Sequence, residues 1–427
     1  MDIPTLHNSL PSPQRNFASK GTACGTARFL YPTLTVCYNR QHRSDHKARF
    51  LTHPTAIAAY EDQDLRFARP FGILEDAVAA HAFPSASVAI THDHQLLALR
   101  TFGRFTYDPT SAEPTTGTLF DLASLTKVIA TTTMAMILYE RGLLDLDLPL
   151  ISMVGEFSGE DPRRDEVTLR MLLAHSSGLP AYEKLFLRAR TRDELLGAAF
   201  STPLAHDPGS HAEYSDIGFI VLGVALERLA DESLGHFCQR EIFGPLGLTH
   251  TTFNPAPALR SQIPPTANDE TFRHRIIQGE VQDENASVLG GVAAHAGLFA
   301  TAQDLAIFAI AMLHSGAPIL RPETIALFTA RESAPEGTSR ALGWDTPSTP
   351  STPSQSGRYL SSRSYGHLGY TGTSLWIDPE RNFSVTLLTN RTWPDCANQS
   401  IKQIRPRFHD AIFESLQSSI SPTPNRS

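Results

Sequence analysis

Within Phe120-Asp-Leu-Ala-Ser-Leu-Thr-Lys-Val128 a hydroxyl, Ser124, stands three residues before an amine, Lys127. Residues three apart on a helix are neighbours on one face, so the two groups meet if Ser124 opens a helix. The residues that follow support one. Ile129, Ala130, Met134, Ile137 and Leu138 recur at helical spacing over 128–141, and Gly142 is a stop signal. A serine hydroxyl becomes a nucleophile when an adjacent amine takes its proton and nearby donors hold the developing charge. Free N–H groups and the positive dipole end of a helix start would favour that charge. The pattern is short, and Ser44-Asp-His-Lys47 also matches it. That copy lies in a basic, polar segment with no apolar run behind it, and we read it as accidental.

Two further stretches carry candidate chemistry. Tyr214-Ser215-Asp216 follows Asp207-Pro-Gly209 and precedes an apolar run from Ile217. Tyr-x-Asp is common by itself, and Tyr60-Glu-Asp62 repeats it. His367-Leu-Gly-Tyr-Thr-Gly372 lies between strand-like segments, where its glycines allow a ligand to approach the backbone closely. A lone strand histidine is more often structural than catalytic, so this stretch gains weight only in combination.

The chain has 427 residues, with 41% hydrophobic and 19% charged content, which are globular values. One large domain or two intimate lobes is expected. A net charge of −8 gives no reason to expect a nucleic-acid partner. No apolar run approaches the roughly 20 residues that span a bilayer. Cys24, Cys37, Cys238 and Cys396 form no Cys-x-x-Cys pair and are expected to be free thiols. The 17 histidines are scattered without ligand spacing, so no metal site is expected.

The elements that position the candidate residues read as follows. Residues 1–69 are basic, carry scattered Pro and Ser, and are expected to be a disordered extension. They make a poor signal peptide, which points to a cytoplasmic protein. Ile73–Ala80 reads as a helix, and Ala86–Ile90 and Leu96–Phe105 as strands. Helices are expected at 169–174, 193–200, 217–229, 234–243 and 302–313. The Gly- and Ala-rich segment 281–301 is expected to pack its backbone closely. Residues 346–357 are low-complexity and read as a disordered surface loop. Strands at 365–370, 374–378 and 383–390 and a helix at 395–415 close the domain, leaving a tail at 418–427. The order predicts an α+β fold: an antiparallel sheet flanked by helices (about 70–120 and 335–417) with an inserted helical lobe (about 121–334). The site falls at their seam.

In this order the pieces resemble the serine β-lactamase and penicillin-binding-protein superfamily, whose signature is Ser-x-x-Lys, a central Ser- or Tyr-based triplet and a Lys-Thr-Gly-like strand. The branch most similar is that of class C β-lactamases, D-aminopeptidases and esterases. Leu172-Leu-Ala-His-Ser-Ser-Gly-Leu179, Pro208–Asp216, Gly297–Asp304 and Gly366–Ser374 look like stretches of that group, and the resemblance spans about 70–415. It implies a β-lactamase/transpeptidase-like fold. It implies Ser124 as the acylated nucleophile, Lys127 as the group that helps deprotonate it, and Tyr214 as the phenol that serves the leaving group and later the water. The N–H groups of Ser124 and Tyr370 would form an oxyanion hole, His367 would stand in the place of the third-motif lysine, and Asp216 and Gly369 would line the substrate. No cofactor is implied, the partner being a small-molecule or peptide substrate. A periplasmic location is also compatible with the resemblance.

Two departures from the class C pattern bear on function. Asp216 stands for asparagine, and a carboxylate beside Lys127 should favour the ammonium and shift proton traffic to Tyr214. His367 stands for lysine and is expected to titrate near neutrality, so a fixed positive charge is partly lost. Both point away from a dedicated β-lactamase and toward an esterase or a D-amino-acid peptidase. Activity should rise with an apparent pKa set by Lys127, Tyr214 and His367. The competing reading is a catalytically weak relative that binds peptidoglycan fragments or peptides.

Overall fold

The computed structural model describes residues 62–348 and 355–418. The expected extension up to residue 61, the centre of the 346–357 loop and the tail beyond 418 lie outside the described residues.

Five antiparallel strands form the sheet, in the order Gln95–Gly103, Ser85–His92, Phe383–Thr389, Ser374–Asp378, Tyr365–Leu368. Alternation places neighbouring side chains on opposite faces. Ala89, Leu375, Ile377 and Leu388 join a core shared with the helical lobe. Val88, Ile90, Trp376, Val385 and Leu387 join a second core under the outer helices Ala68–Ala79 and Ile401–Ser418. Both faces are therefore covered, and a fully buried Val, Leu or Ile on either contributes about 1.5–3 kcal/mol. Register is firm because a slip by one residue would exchange the two cores. Phe67, upstream of the expected boundary at 70, is fully buried and meets Phe71 at 5.9 Å between ring centroids. The folded region thus begins earlier than composition suggested.

The helical lobe is inserted between the strands Gln95–Gly103 and Tyr365–Leu368. Its central helix, Asp216–Ala230, is nearly all apolar, as a helix buried all round must be. Gly223 on that helix permits close approach to the 281–301 segment, since a Cβ there would stand 2.5 Å from the Ala294 Cβ. A helix at Pro322–Thr329 was not anticipated, although Pro322 at its start and the buried Ile325 and Phe328 three residues apart carry the signal. At the edge of the low-complexity loop Ser356 is buried, its carbonyl accepting from His409 Nδ1 at 3.2 Å. The expectation from composition that 346–357 is a surface loop is therefore corrected at its edges, where Thr346 and Ser356 are buried.

Candidate active site

The short strand Phe120–Asp121 delivers the chain to Ser124 through a tight turn. Asp121 is buried and braces the turn, accepting from the Ala123 N–H at 2.8 Å and the Gln282 N–H at 2.7 Å. Burial lifts its carboxyl to about 6, against the pull of those two donors. Ala123 has φ +47°, a left-handed conformation unusual for a residue with a Cβ and found preferentially at functional sites. Ser124 follows it, and the chain then winds as a wide-turned helix over Lys127–Thr132 that continues as Thr133–Glu140.

Lys127 is completely buried, and its ammonium has three partners. Ser124 Oγ accepts at 3.0 Å, Asp216 Oδ1 at 2.6 Å and the His295 carbonyl at 2.9 Å. All three of its N–H donors are used. Asp216 is the first residue of the central helix, whose N-cap Ser215 receives the Gly218 N–H at 2.9 Å. The Tyr214 hydroxyl lies 2.6 Å from Ser124 Oγ and 3.1 Å from Asp216 Oδ1. The structure therefore brings Ser124, Lys127, Tyr214 and Asp216 into one hydrogen-bonded group.

Burial sets the proton affinities of this group. It lowers the Lys127 pKa, with Asp216 the largest opposing influence. It raises the Tyr214 phenol well above its ordinary value, and Asp216 adds to the rise. Asp216 favours the ammonium, as expected, but desolvation of Lys127 outweighs it, so the Lys127 pKa falls while that of Tyr214 rises.

His367 lies on the edge strand, 6.0 Å from the Tyr214 ring between centroids. Its Nδ1 donates to the Leu368 carbonyl at 2.8 Å, and its buried Nε2 has no partner. Burial drives its pKa to about 4, with Asp345 opposing and Lys127 and Arg340 reinforcing the fall. The expectation of titration near neutrality is corrected: the imidazole is uncharged there, and the third-motif charge is wholly lost.

Gly369 and Tyr370 form the turn after that strand. A Cβ at Gly369 would collide with Thr373 Oγ1 and stand 2.5 Å from the Leu122 carbonyl, so glycine is required for the turn to touch the Ser124 loop. Thr371 donates to the Asp121 carbonyl at 2.7 Å and Thr373 to the Leu122 carbonyl at 2.9 Å, stitching turn and loop together. The buried Arg405 ties the Gly369 and Thr373 carbonyls at 3.1 and 2.9 Å. Among the described residues neither the Ser124 nor the Tyr370 backbone N–H has an acceptor. Such free donors are what an oxyanion would engage.

Sequence reasoning missed several residues here. His175 lies against Tyr214 and Phe219, at 4.7 and 4.9 Å between ring centroids, and its Nδ1 accepts the Ser215 N–H at 3.0 Å. Asp283 pairs with His295 at 2.9 Å, steadying the residue whose carbonyl holds Lys127. Arg340 sits over the Tyr214 ring at 5.6 Å and pairs with Asp345. Only His175 had a signal, its place in a stretch of family-like sequence. A cavity of about 760 Å³ in the helical lobe, bordered by Arg164, Asp193, Phe200 and Arg228, contains none of these groups.

An antiparallel sheet with an inserted helical lobe, and a serine held by a lysine and a tyrosine at their seam, define a serine hydrolase of the acyl-transfer type. The Beta-lactamase family profile matches residues 72–404, and the chain belongs to that family, within the serine β-lactamase and penicillin-binding-protein superfamily. It is 32% identical over 371 residues to an Escherichia coli K12 protein provisionally named D-alanyl-D-alanine carboxypeptidase, covering 78% of this chain and 83% of that one. Among solved structures it resembles EstCE1, a hydrolase with promiscuous acyltransferase activity, with a TM-score of 0.67 at 20% identity over 82% of this chain and 99% of that one. Unliganded simvastatin synthase from Aspergillus terreus is similar, with a TM-score of 0.64 at 20% identity over 83% and 99%. These two likenesses establish the fold.

Proposed function

We propose that the chain hydrolyses an ester or an amide through an acyl-enzyme on Ser124, in the manner of the class C β-lactamase-like branch. One observation carries the reading: Lys127 Nζ at 3.0 Å and Tyr214 Oη at 2.6 Å converge on Ser124 Oγ. Lys127, once neutral, takes the Ser124 proton as Oγ attacks the acyl carbon. The developing oxyanion is received by the N–H groups of Ser124 and Tyr370. Tyr214 hands its proton to the departing oxygen or nitrogen and regains one by way of Lys127. Water then attacks the acyl-enzyme, giving up its proton to the same pair, and the acid leaves with Ser124 restored. His367, uncharged, contributes an acceptor at Nε2 in place of a cation. The name of the Escherichia coli relative favours a peptide ending in a D-amino acid as substrate, and EstCE1 favours an ester.

The test is intact-protein mass after treatment with a fluorophosphonate and, separately, with a penicillin, on wild type and Ser124→Ala. A probe adduct that requires Ser124 supports the reading. A lasting penicillin adduct beside it favours the peptidase. No adduct with either reagent moves the reading to a binding protein.

A further inference from the structure

We propose that His175 is a positioning residue for this chemistry, setting the Tyr214 phenol at Ser124 by binding the main chain on both sides of Tyr214. The inference rests on the reading of Ser124 and Tyr214 above and adds a residue to that site.

Geometry is the first argument. His175 lies just past the short helix Leu169–Leu173 and has φ +56°, a left-handed conformation that a residue with a Cβ rarely adopts. Such backbone persists where the surroundings enforce it, and it gathers at functional sites. From this position the His175 carbonyl accepts the Glu213 N–H at 2.9 Å, and Nδ1 accepts the Ser215 N–H at 3.0 Å. Tyr214 is the residue between them. The imidazole also packs against the Tyr214 ring, at 4.7 Å between centroids. One residue thus holds both the main chain and the ring of Tyr214. The far end of the segment is tied separately: the Pro180 carbonyl accepts from Ser215 Oγ at 2.7 Å and the Ala181 carbonyl from the Asp216 N–H at 2.9 Å.

The state of the ring is the second. An imidazole that accepts at Nδ1 is neutral and carries its proton on Nε2. Burial holds the His175 pKa well below its ordinary value, and the Arg340 and Lys127 charges reinforce the fall. Nε2 is itself buried without a partner among the described residues. An apolar side chain filling the same space would avoid that unmet donor, at the loss of the Ser215 bond.

The demand on Tyr214 is the third. Its hydroxyl serves two partners at once, Ser124 Oγ at 2.6 Å and Asp216 Oδ1 at 3.1 Å. Both contacts depend on where the main chain at 214 lies, and a misplacement of about 1 Å can slow a reaction about a hundredfold.

The test compares His175→Asn with His175→Gln. The Asn amide oxygen falls in the place of Nδ1, and asparagine tolerates the left-handed backbone, so the Ser215 bond is kept. The Gln amide lies one bond further out, near the place of Nε2, and leaves the Ser215 N–H unmet. The substrates are a nitrophenyl ester and an ethyl ester of one acid. Nitrophenolate departs without a proton, whereas ethoxide needs the one that Tyr214 gives. His175→Gln should lower kcat/KM roughly tenfold to a hundredfold on the ethyl ester and far less on the nitrophenyl ester. His175→Asn should stay near wild type on both. An equal loss on the two esters, an unchanged Gln variant, or an Asn variant as poor as Gln overturns the proposal. Should the Gln variant not fold, the Asn variant decides: near wild type on the ethyl ester supports the proposal, and a tenfold loss there overturns it.

NMR of the Tyr214 ring and amide exchange at Ser215 need no turnover. A single ring conformer and a protected amide in wild type and Asn, both lost in Gln, support the placement even if wild type cleaves neither ester. That result would sink the hydrolase reading alone. A ring signal and an amide unmoved in Gln overturn the proposal.

Discussion

Lys127 Nζ and Asp216 Oδ1 lie 2.6 Å apart although 89 residues separate them in the chain. The pair joins the helix behind the nucleophile to the central helix of the inserted lobe. It also decides how readily the amine gives up its proton, because Asp216 is the main influence holding that proton on against burial.

Asp216→Asn should therefore lower the Lys127 pKa further. A base must be neutral to act, so activity rises with pH through that pKa. The rising limb of kcat/KM should move to lower pH in the variant. A pH–rate profile with the limb unmoved, or moved to higher pH, would refute the coupling.

Ser124→Ala should reduce turnover by at least about a thousandfold, since the other members of such a group achieve little without the nucleophile. Ser124 is only partly buried, and stability should change by less than about 1 kcal/mol. Steady-state kinetics and denaturant melts check the two halves separately.

His367 should change charge near pH 4 and stay neutral from pH 6 to 8. The sign follows from burial, which penalises the imidazolium. Imidazole NMR resonances that titrate close to neutrality would mean that His367 is solvated rather than buried.

Thr373→Val keeps the shape of the side chain but removes the hydroxyl that donates to the Leu122 carbonyl at 2.9 Å. The Leu122 carbonyl keeps the Leu125 N–H at 3.1 Å, so the loss is that of one hydrogen bond, about 0.5–1.5 kcal/mol. The contact also fixes the Gly369–Tyr370 turn against the Ser124 loop, so kcat should fall with little change in KM. Full activity in a destabilised variant would separate the stitch from catalysis.

Much of this molecule was legible in advance where the signal is local. The helix Ala302–Leu313 and the strand Ser374–Asp378 match their expected bounds, because apolar spacing and flanking turn residues both lie within the segment. The terminal helix was expected from 395 but begins at Ile401. Asp395 and Asn398 side chains accept the Ala397 and Ser400 N–H groups at 2.9 Å, and these local turns displace the first helical residues.

The sequence by itself determined the residue types at the site and the short-range geometry that spacing controls: Ser124 beside Lys127, Tyr214 at the mouth of a helix opened by Asp216, and a glycine where the strand must touch its neighbour. Only the tertiary structure decided their charges and their company. Side-chain type states what a group can donate or carry, whereas its proton affinity depends on how much water is removed and which charges replace it. Those charges come from distant stretches. Arg340 reaches Tyr214, the His295 carbonyl takes the last donor of Lys127, and burial leaves His367 uncharged.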